Sequence, residues 1–415
     1  MFLKHLSLTN FRNFARLDVD VPLGSILLVG DNAQGKTSLL EAAYFLATFV
    51  SFHADNDRQL INFIALREPL AVGRIVADFS RSEPTLQIRS HRLEVRLIQE
   101  SNGMNGISRL RKEILLDGVE RKVSEAVGAF NAVLFQPQSL RIIEGAPEDR
   151  RRYLNLTLAQ ALPRYPTALA DYSRSLAQRN ALLKQLDERG GDPEQLTYWD
   201  QLISTSGATL IYARIQAIQE LERLAARAHS QLTRGAEVLR LSYVPAYDPL
   251  PSPGKQYTLR VDTPVDRSGL SLDKIQAGFM ESLHRLHVEE IARGVTTIGP
   301  HRDELRLLAN GIDLGIYGSR GQARTAMLAL KLAEVAWLKE KTGQWPVLLL
   351  DEVLSELDPQ RRADLLDRLE ECEQAMLTTT DLDAFAGEFV QRSSVWRIQA
   401  GRVEECKHAT GNLPA

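Results

Sequence analysis

The run Gly30-Asp31-Asn32-Ala33-Gln34-Gly35-Lys36-Thr37 constrains this chain more than any other feature. It fits G-x-x-x-x-G-K-[ST], a loop whose backbone N–H groups converge on phosphate oxygens. Far downstream, the apolar run Val347-Leu348-Leu349-Leu350 ends in Asp351-Glu352, as a buried strand with two acids at its carboxyl end would. Lys36 and Asp351 stand 315 positions apart (351 − 36) in a chain of 415 residues. If both serve one nucleotide, the domain that holds them is split in sequence and carries an insertion.

Local context supports the loop. Residues 25–29 form a short apolar run suited to a strand buried on both faces, and residues 37–47 have a helical pattern. Gly30 and Gly35 permit close approach of backbone to phosphate, and the following helix adds its positive end. Lys36 brings a point charge to the β- and γ-phosphates and is expected to be solvated when no nucleotide is bound, while the Thr37 hydroxyl binds Mg²⁺. Asp351 is expected beside the same ion, and Glu352 is placed to take a proton from the attacking water. ATP and Mg²⁺ are therefore the expected cofactors, with Lys36 and Glu352 in catalytic roles.

Composition excludes several classes. Only Cys372 and Cys406 are present, so there is no disulfide framework and no Cys/His spacing typical of zinc. The N-terminus has polar residues every second or third place, unlike a signal peptide. No apolar run approaches the roughly 18 residues needed to span a membrane. A cytoplasmic, soluble protein is the expectation. A net charge of −3 does not announce a nucleic-acid binder, yet local basic clusters exist. Residues 86–112 hold Arg89, Arg92, Arg96, Arg109, Arg111 and Lys112 against Glu94 and Glu100, and Arg150-Arg151-Arg152 form a second cluster. These nine are candidate DNA-phosphate contacts.

The pattern along the chain predicts three segments. Residues 1–140 read as the first part of an α/β head, with strands over 72–79, 86–98 and 113–116 forming an antiparallel layer. Residues 141–293 read as an inserted helical arm. Leu169, Tyr172, Leu176, Leu183 and Leu186 fall on a heptad a/d stripe, with Arg179 at one d position. A break at Arg189-Gly190-Gly191-Asp192-Pro193 precedes a second apolar-periodic stretch to Leu232, so the two helices form an antiparallel hairpin. Residues 243–268 are rich in Pro and Gly and read as a loop, and a helix over 272–293 leads back to the head. Residues 294–415 complete the head.

Gly318-Ser319-Arg320-Gly321-Gln322 precedes a long helical pattern and lies upstream of the acidic strand. A Ser and small glycines at a helix N-terminus can hold an anion. The run resembles the signature motif of ABC-type ATPases, which implies head-to-tail dimers in which each Ser319, Gly321 and Gln322 closes the partner's nucleotide.

Longer motifs narrow the resemblance. Asn10-Phe-Arg-Asn-Phe14 resembles the entry strand of SMC-like ATPases. Phe135-Gln-Pro-Gln-Ser-Leu140, Ile143-Glu-Gly145, Arg150-Arg-Arg-Tyr-Leu154, Gln178-Arg-Asn-Ala-Leu-Leu-Lys184 and Thr297-Ile-Gly-Pro-His-Arg-Asp303 resemble the bacterial RecF family. The resemblance implies an ABC-type P-loop head with a helical arm. It adds Arg12, Asn13 and Ser38 to the nucleotide contacts, and gives Mg²⁺ sensing to Gln136, with Gln138 the alternative. Gln138 stands where the family usually has an acid, Asn155 replaces a usual Asp, and Thr379-Thr380 stand in place of the switch His of ABC transporters. What the resemblance further implies is slow, DNA-stimulated ATP hydrolysis by an ATP-dependent homodimer on duplex or gapped DNA. RecR and RecO would be its partners in promoting RecA loading during recombinational repair. Two alternatives are weighed. An SMC- or RecN-like structural clamp would need a far longer arm, and a transporter-type ABC ATPase would place its signature nearer the P-loop with no arm between.

Overall fold

The computed structural model describes residues 1–82, 88–101, 108–250, 265–267 and 269–407. Most of the Pro/Gly-rich segment, residues 251–264 and 268, lies outside the described residues. Two compact units divide the chain: Met1–Ser139 with Leu338–Ala415, and Leu140–Trp337.

The first unit contains two six-stranded sheets and helix α1 (Lys36–Thr48). One sheet has the order β15-β14-β3-β13-β12-β8. Its strands are β3 (Gly24–Val29), β8 (Ala132–Phe135), β12 (Val347–Leu350), β13 (Gln374–Thr379), β14 (Ser394–Gln399) and β15 (Arg402–Lys407). All pair in parallel except β15, which is antiparallel to β14. β8 and β12 are short, apolar and buried at every position, as the interior of a parallel sheet requires.

The second sheet is antiparallel, with the order β2-β1-β4-β5-β6-β7. It comprises β1 (Phe2–Phe11), β2 (Phe14–Asp20), β4 (Leu70–Ser82), β5 (Ile88–Ser101), β6 (Ser108–Leu116) and β7 (Val119–Glu120). Leu93, Val95 and Leu97 of β5 are buried, while Arg92 and Glu100 are exposed, the alternation of a sheet with one packed face. Leu6, Leu93 and Leu97 share one core with Leu39, Leu40 and Phe45 of α1 and Ile26 and Leu349 of the parallel sheet. This core ties the strand that delivers the glycine loop to the strand that delivers Asp351.

The second unit holds α2 (Pro147–Ala161), α3 (Tyr165–Arg189), α4 (Leu196–Leu232), α5 (Leu272–Arg285), α6 (His287–Arg293) and most of α7 (Arg320–Thr342). α3 and α4 are the expected hairpin, turning through Gly190 at φ 71° and a short 3-10 turn over Pro193–Gln195. Tyr172, Leu183 and Leu186 of the stripe are buried. At the d position, Arg179 is also fully buried, held by Asp200 and Glu290.

This unit differs from the sequence expectation in two ways. The single helix expected over 272–293 is broken at Leu286 into α5 and α6. Its residues also include a three-stranded antiparallel sheet, β11-β10-β9, made of β9 (Leu239–Val244), β10 (Glu304–Ala309) and β11 (Ile312–Asp313). Because β10 pairs with β9 over six residues, residues 304–309 belong to the unit that begins at Leu140, although the sequence pattern drew the boundary at 294.

A buried polar hub organises the same unit. Arg214 donates to Asp303 Oδ2 at 2.7 Å, to the Pro300 carbonyl at 2.6 Å and to Asn155 Oδ1 at 2.9 Å. Asn155 also accepts from Tyr165 at 2.7 Å. Asn155 here adds no charge to the hub, so Arg214 and Asp303 balance one to one. His301 joins Tyr172 at 2.7 Å, and burial lowers its pKa to about 4. His301 and Arg302, which donates to the Thr296 carbonyl at 2.9 Å, brace this unit.

Candidate functional site

The glycine loop follows β3 and opens α1. Ala33 at φ 65° and Gly35 at φ 116° are left-handed, the alternation that curls successive N–H groups toward one centre. A Cβ on Gly35 would lie 2.6 Å from Asn13 Nδ2, and one on Gly30 would lie 2.3 Å from the Ile398 carbonyl oxygen. Both positions therefore demand glycine. α1 has no side-chain cap at its N-terminus and no acid in its first turn. Its terminal N–H groups are left for an incoming anion.

Lys36 is not solvated, contrary to the sequence expectation. It is only 4% exposed, and its Nζ donates to the carbonyls of Gly30 at 2.6 Å and Asp31 at 2.9 Å. Burial lowers its pKa, and the nearby Glu352, Asp31 and Asp351 oppose that shift. The loop carbonyls hold the ammonium inside the loop's curve.

The two distant halves meet directly. Thr37 Oγ1 donates to Asp351 Oδ1 at 2.9 Å, across 314 positions. β13 lies between β3 and β12 in the sheet, and its Thr378 also donates to Asp351 Oδ1 at 2.9 Å. The same Thr378 oxygen accepts the Glu352 N–H at 2.9 Å, with Glu352 at φ 52°. Thr378 thus fixes the direction in which both acids leave the strand. The Asp351 N–H donates to the Phe135 carbonyl at 2.9 Å, which brings Gln136 alongside. Among the described residues, Gln136 Oε1 is buried and finds no hydrogen-bond partner, whereas Gln138 is exposed. Thr37 and Asp351 bring two oxygen donors together, the donor type that a hard cation such as Mg²⁺ takes, and Gln136 carries a third at the end of the adjacent strand.

A cavity of about 650 Å³ opens beside this junction. Its lining includes Asn32, Ala33, Gly35, Lys36, Thr37, Ser38, Arg12, Asn13 and Glu352 from the sequence-derived set. Gly30, Asp31 and Gln34 are not among its lining residues. Gln34 turns away, its Oε1 accepting the Ala400 N–H at 2.7 Å and its carbonyl accepting from Asn13 at 2.9 Å. Arg12 is braced by both oxygens of Glu41, each at 2.6 Å, and by the Gln59 carbonyl at 3.0 Å. Glu41, His53, Gln59, Ile61 and Phe63 also line the cavity. Phe63 is 67% exposed there. Sequence reasoning missed these five: Glu41 is a lone acid within the apolar α1, and the other four lie in the stretch after it, which carries no motif and no clear period.

The signature-like run lies in the second unit. Ser319 Oγ accepts the Gln322 N–H at 3.2 Å, and Gln322 Oε1 accepts the Ser319 N–H at 3.1 Å. This is a reciprocal capping box on α7. Gln322 Nε2 also donates to Glu237 at 2.8 Å, while Ser319 and Gly321 are exposed.

The basic clusters are largely compensated. On the outward face of the antiparallel sheet, Glu94 accepts from Arg74 at 2.7 Å and from Arg96 at 2.6 Å, and Glu113 pairs with Arg111 and, at 3.7 Å, with Arg96. Arg92 faces Asp78 at 3.8 Å, and Arg109 and Arg89 are exposed. Lys112 points to the opposite face, bonded to Asp57 at 2.7 Å and to the Phe49 carbonyl at 3.0 Å over the Phe45 ring. In the second unit, Arg150 is bidentate to Glu304 at 2.6 and 2.8 Å, and Arg151 donates to the Asp303 carbonyl at 3.0 Å. Arg152 is exposed. Neighbouring strands supply acids that a linear count of charge does not see.

Comparison with known proteins decides the family. The family described as RecF/RecN/SMC N terminal domain matches residues 2–396. The DNA replication and repair protein RecF of Chloroflexus aurantiacus is 38% identical over 416 residues, covering 97% of this chain and 99% of the relative. The chain belongs to the RecF family. RecF of Bacillus subtilis is 34% identical over 404 residues, covering 97% of this chain and 99% of that protein. A solved structure of the recombination mediator protein RecF with ATP, in the RecFOR pathway, shares 28% identity and a TM-score of 0.80, covering 98% of each chain. The RecF head fold, an SMC-type ATPase architecture, is the fold of this chain. Among the described residues, no helix is long and apolar enough to cross a membrane.

Proposed function

We propose that this RecF-family protein binds MgATP in the cavity at the glycine loop and uses slow hydrolysis as a switch for DNA binding in recombinational repair. The observation that carries the reading is the 2.9 Å hydrogen bond from Thr37 to Asp351, which joins the phosphate loop to the acidic strand. Lys36 and the N-terminus of α1 bind the phosphates, and Arg12 and Asn13 border them. Thr37, Asp351 and Gln136 hold Mg²⁺, whose chemistry here is to neutralise phosphate charge. Glu352, aimed by Thr378, takes the proton of the attacking water.

In this reading two chains assemble head to tail, and Ser319, Gly321 and Gln322 of each chain complete the other's nucleotide site. The exposed Arg92, Arg109, Arg111 and Arg152 make the DNA-phosphate contacts. Duplex or gapped DNA is the ligand, with RecR, RecO and RecA downstream. Sedimentation of the protein with and without ATP and duplex DNA tests the proposal. The expected result is a monomer that becomes a DNA-bound dimer only when ATP is present. ATP-independent dimers, or DNA binding indifferent to nucleotide, would remove the switch.

A further inference from the structure

Three potential ligand atoms converge in the second unit, outside the nucleotide site. Asp200 lies on α4, His284 in the last turn of α5, and His287 at the first residue of α6. Their donor atoms lie within 4.8 Å of one another. Asp200 Oδ2 is 2.6 Å from His287 Nε2 and 3.7 Å from His284 Nε2. The break at Leu286 turns the chain so that both imidazoles reach one carboxylate oxygen. Their rings stack, with centroids 5.0 Å apart at 29°.

We propose that Asp200, His284 and His287 form a site for a divalent transition-metal ion of the Zn²⁺ type. Two imidazole nitrogens and one carboxylate are a ligand set that such ions take, at about 2.0–2.2 Å, with a remaining position for water. Tetrahedral coordination at that radius sets donors about 3.3 Å apart. The His284 contact is already near that value, and the shorter His287 contact widens when an ion replaces the shared proton. His284 is 43% exposed, which gives the ion a path from solvent, while Asp200 is fully buried.

The charge around the carboxylate is an independent argument. Asp200 Oδ1 accepts from Arg179 at 2.7 Å, and Arg179 in turn donates to Glu290 at 2.6 Å and to Thr296 at 2.9 Å. The side chains of Arg179, Asp200 and Glu290 are all fully buried. Among the described residues, two buried carboxylates, Asp200 and Glu290, share the one guanidinium of Arg179, and buried charge requires a partner. A metal cation bound by the carboxylate and the two imidazoles supplies that partner. Arg179 also does what an outer-shell partner does, fixing the orientation of the ligating carboxylate.

Chelator-stripped, tag-free full-length protein titrated with Zn²⁺ against a chromogenic chelator tests the site, with Co²⁺ absorption as a second readout. The expected result is one ion per chain and tetrahedral Co²⁺ bands. His284→Ala, on an exposed side chain that leaves the His287–Asp200 bond intact, should fold normally, lose the bands and bind Zn²⁺ at least about 100-fold more weakly. Its ATP affinity should be unchanged, which separates failure here from failure of the nucleotide reading. Absence of stoichiometric Zn²⁺ binding, or equal binding by folded His284→Ala, would overturn the proposal and leave a purely hydrogen-bonded cluster.

Discussion

Lys36 does two jobs at one atom. Before phosphate arrives, its Nζ satisfies the carbonyls of Gly30 and Asp31 and keeps the loop curled. Lys36→Ala should therefore lower ATP affinity by at least about 100-fold, an effect of roughly 3 kcal/mol. It should also cost about 1 kcal/mol of stability, since two carbonyls lose their donor. Titration calorimetry and urea unfolding measure the two effects, and retained ATP affinity would defeat the loop assignment. Glu352→Gln should bind ATP as wild type does but hydrolyse it about 10²–10⁴-fold more slowly, because the amide cannot accept a proton. Single-turnover hydrolysis at saturating ATP reads this directly, and a wild-type rate would exclude Glu352 as the base. Lys36 and Thr37 were legible in sequence because the loop's chemistry fixes residue type and spacing, and Asp351 because an apolar run ends in two acids. His53 and Phe63 were not, since they reach the cavity through tertiary packing alone.

At the scale of elements, the outward face of the antiparallel sheet interleaves acids with its arginines. Hydrogen bonds from Arg74 and then Arg96 hold the Glu94 carboxyl at about 2, below the ordinary 4.5. A carboxylate lowered on folding stabilises the fold above its unfolded pKa, and that contribution is lost as pH falls through the folded value. Glu94→Gln should thus lower the urea midpoint at pH 7, and its gap from wild type should close between about pH 4.5 and pH 2. A gap that stays constant across that range would show that the carboxylate charge contributes nothing. The α3–α4 hairpin was legible because its stripe repeats with the coiled-coil period and its turn is rich in Gly and Pro. The β9–β10 pairing was not, because it joins residues 239–244 to 304–309 and no local pattern reports a partner that distant. Nor was the burial of Arg179: a cation at a d position becomes intelligible only once Asp200 and Glu290 are seen beside it.

For the whole molecule, the trans arrangement makes the sharpest claim. Ser319→Arg should spare ATP binding by the monomer while blocking dimerisation and hydrolysis. It also removes a helix cap, at a local cost of about 1 kcal/mol. Mixed with Lys36→Ala protein, it should form head-to-tail dimers with one site carrying both lesions and one carrying neither, restoring up to about half the activity per dimer. No recovery from two folded parents would mean that Ser319 acts within its own chain. The strand order carries a separate consequence for synthesis. β3 is flanked on both sides by β13 and β14, and β8 by β12, so no two N-terminal strands of the parallel sheet are neighbours. On the ribosome, β3 emerges and must wait for β13, 350 positions later (374 − 24), before it can pair, roughly 20–70 s at 5–20 residues per second. The residues of the second unit are made in that interval and can fold first. Until the C-terminus leaves the tunnel, the nascent chain carries a finished arm and an unpaired apolar strand, and that exposed interval is where a chaperone should be found.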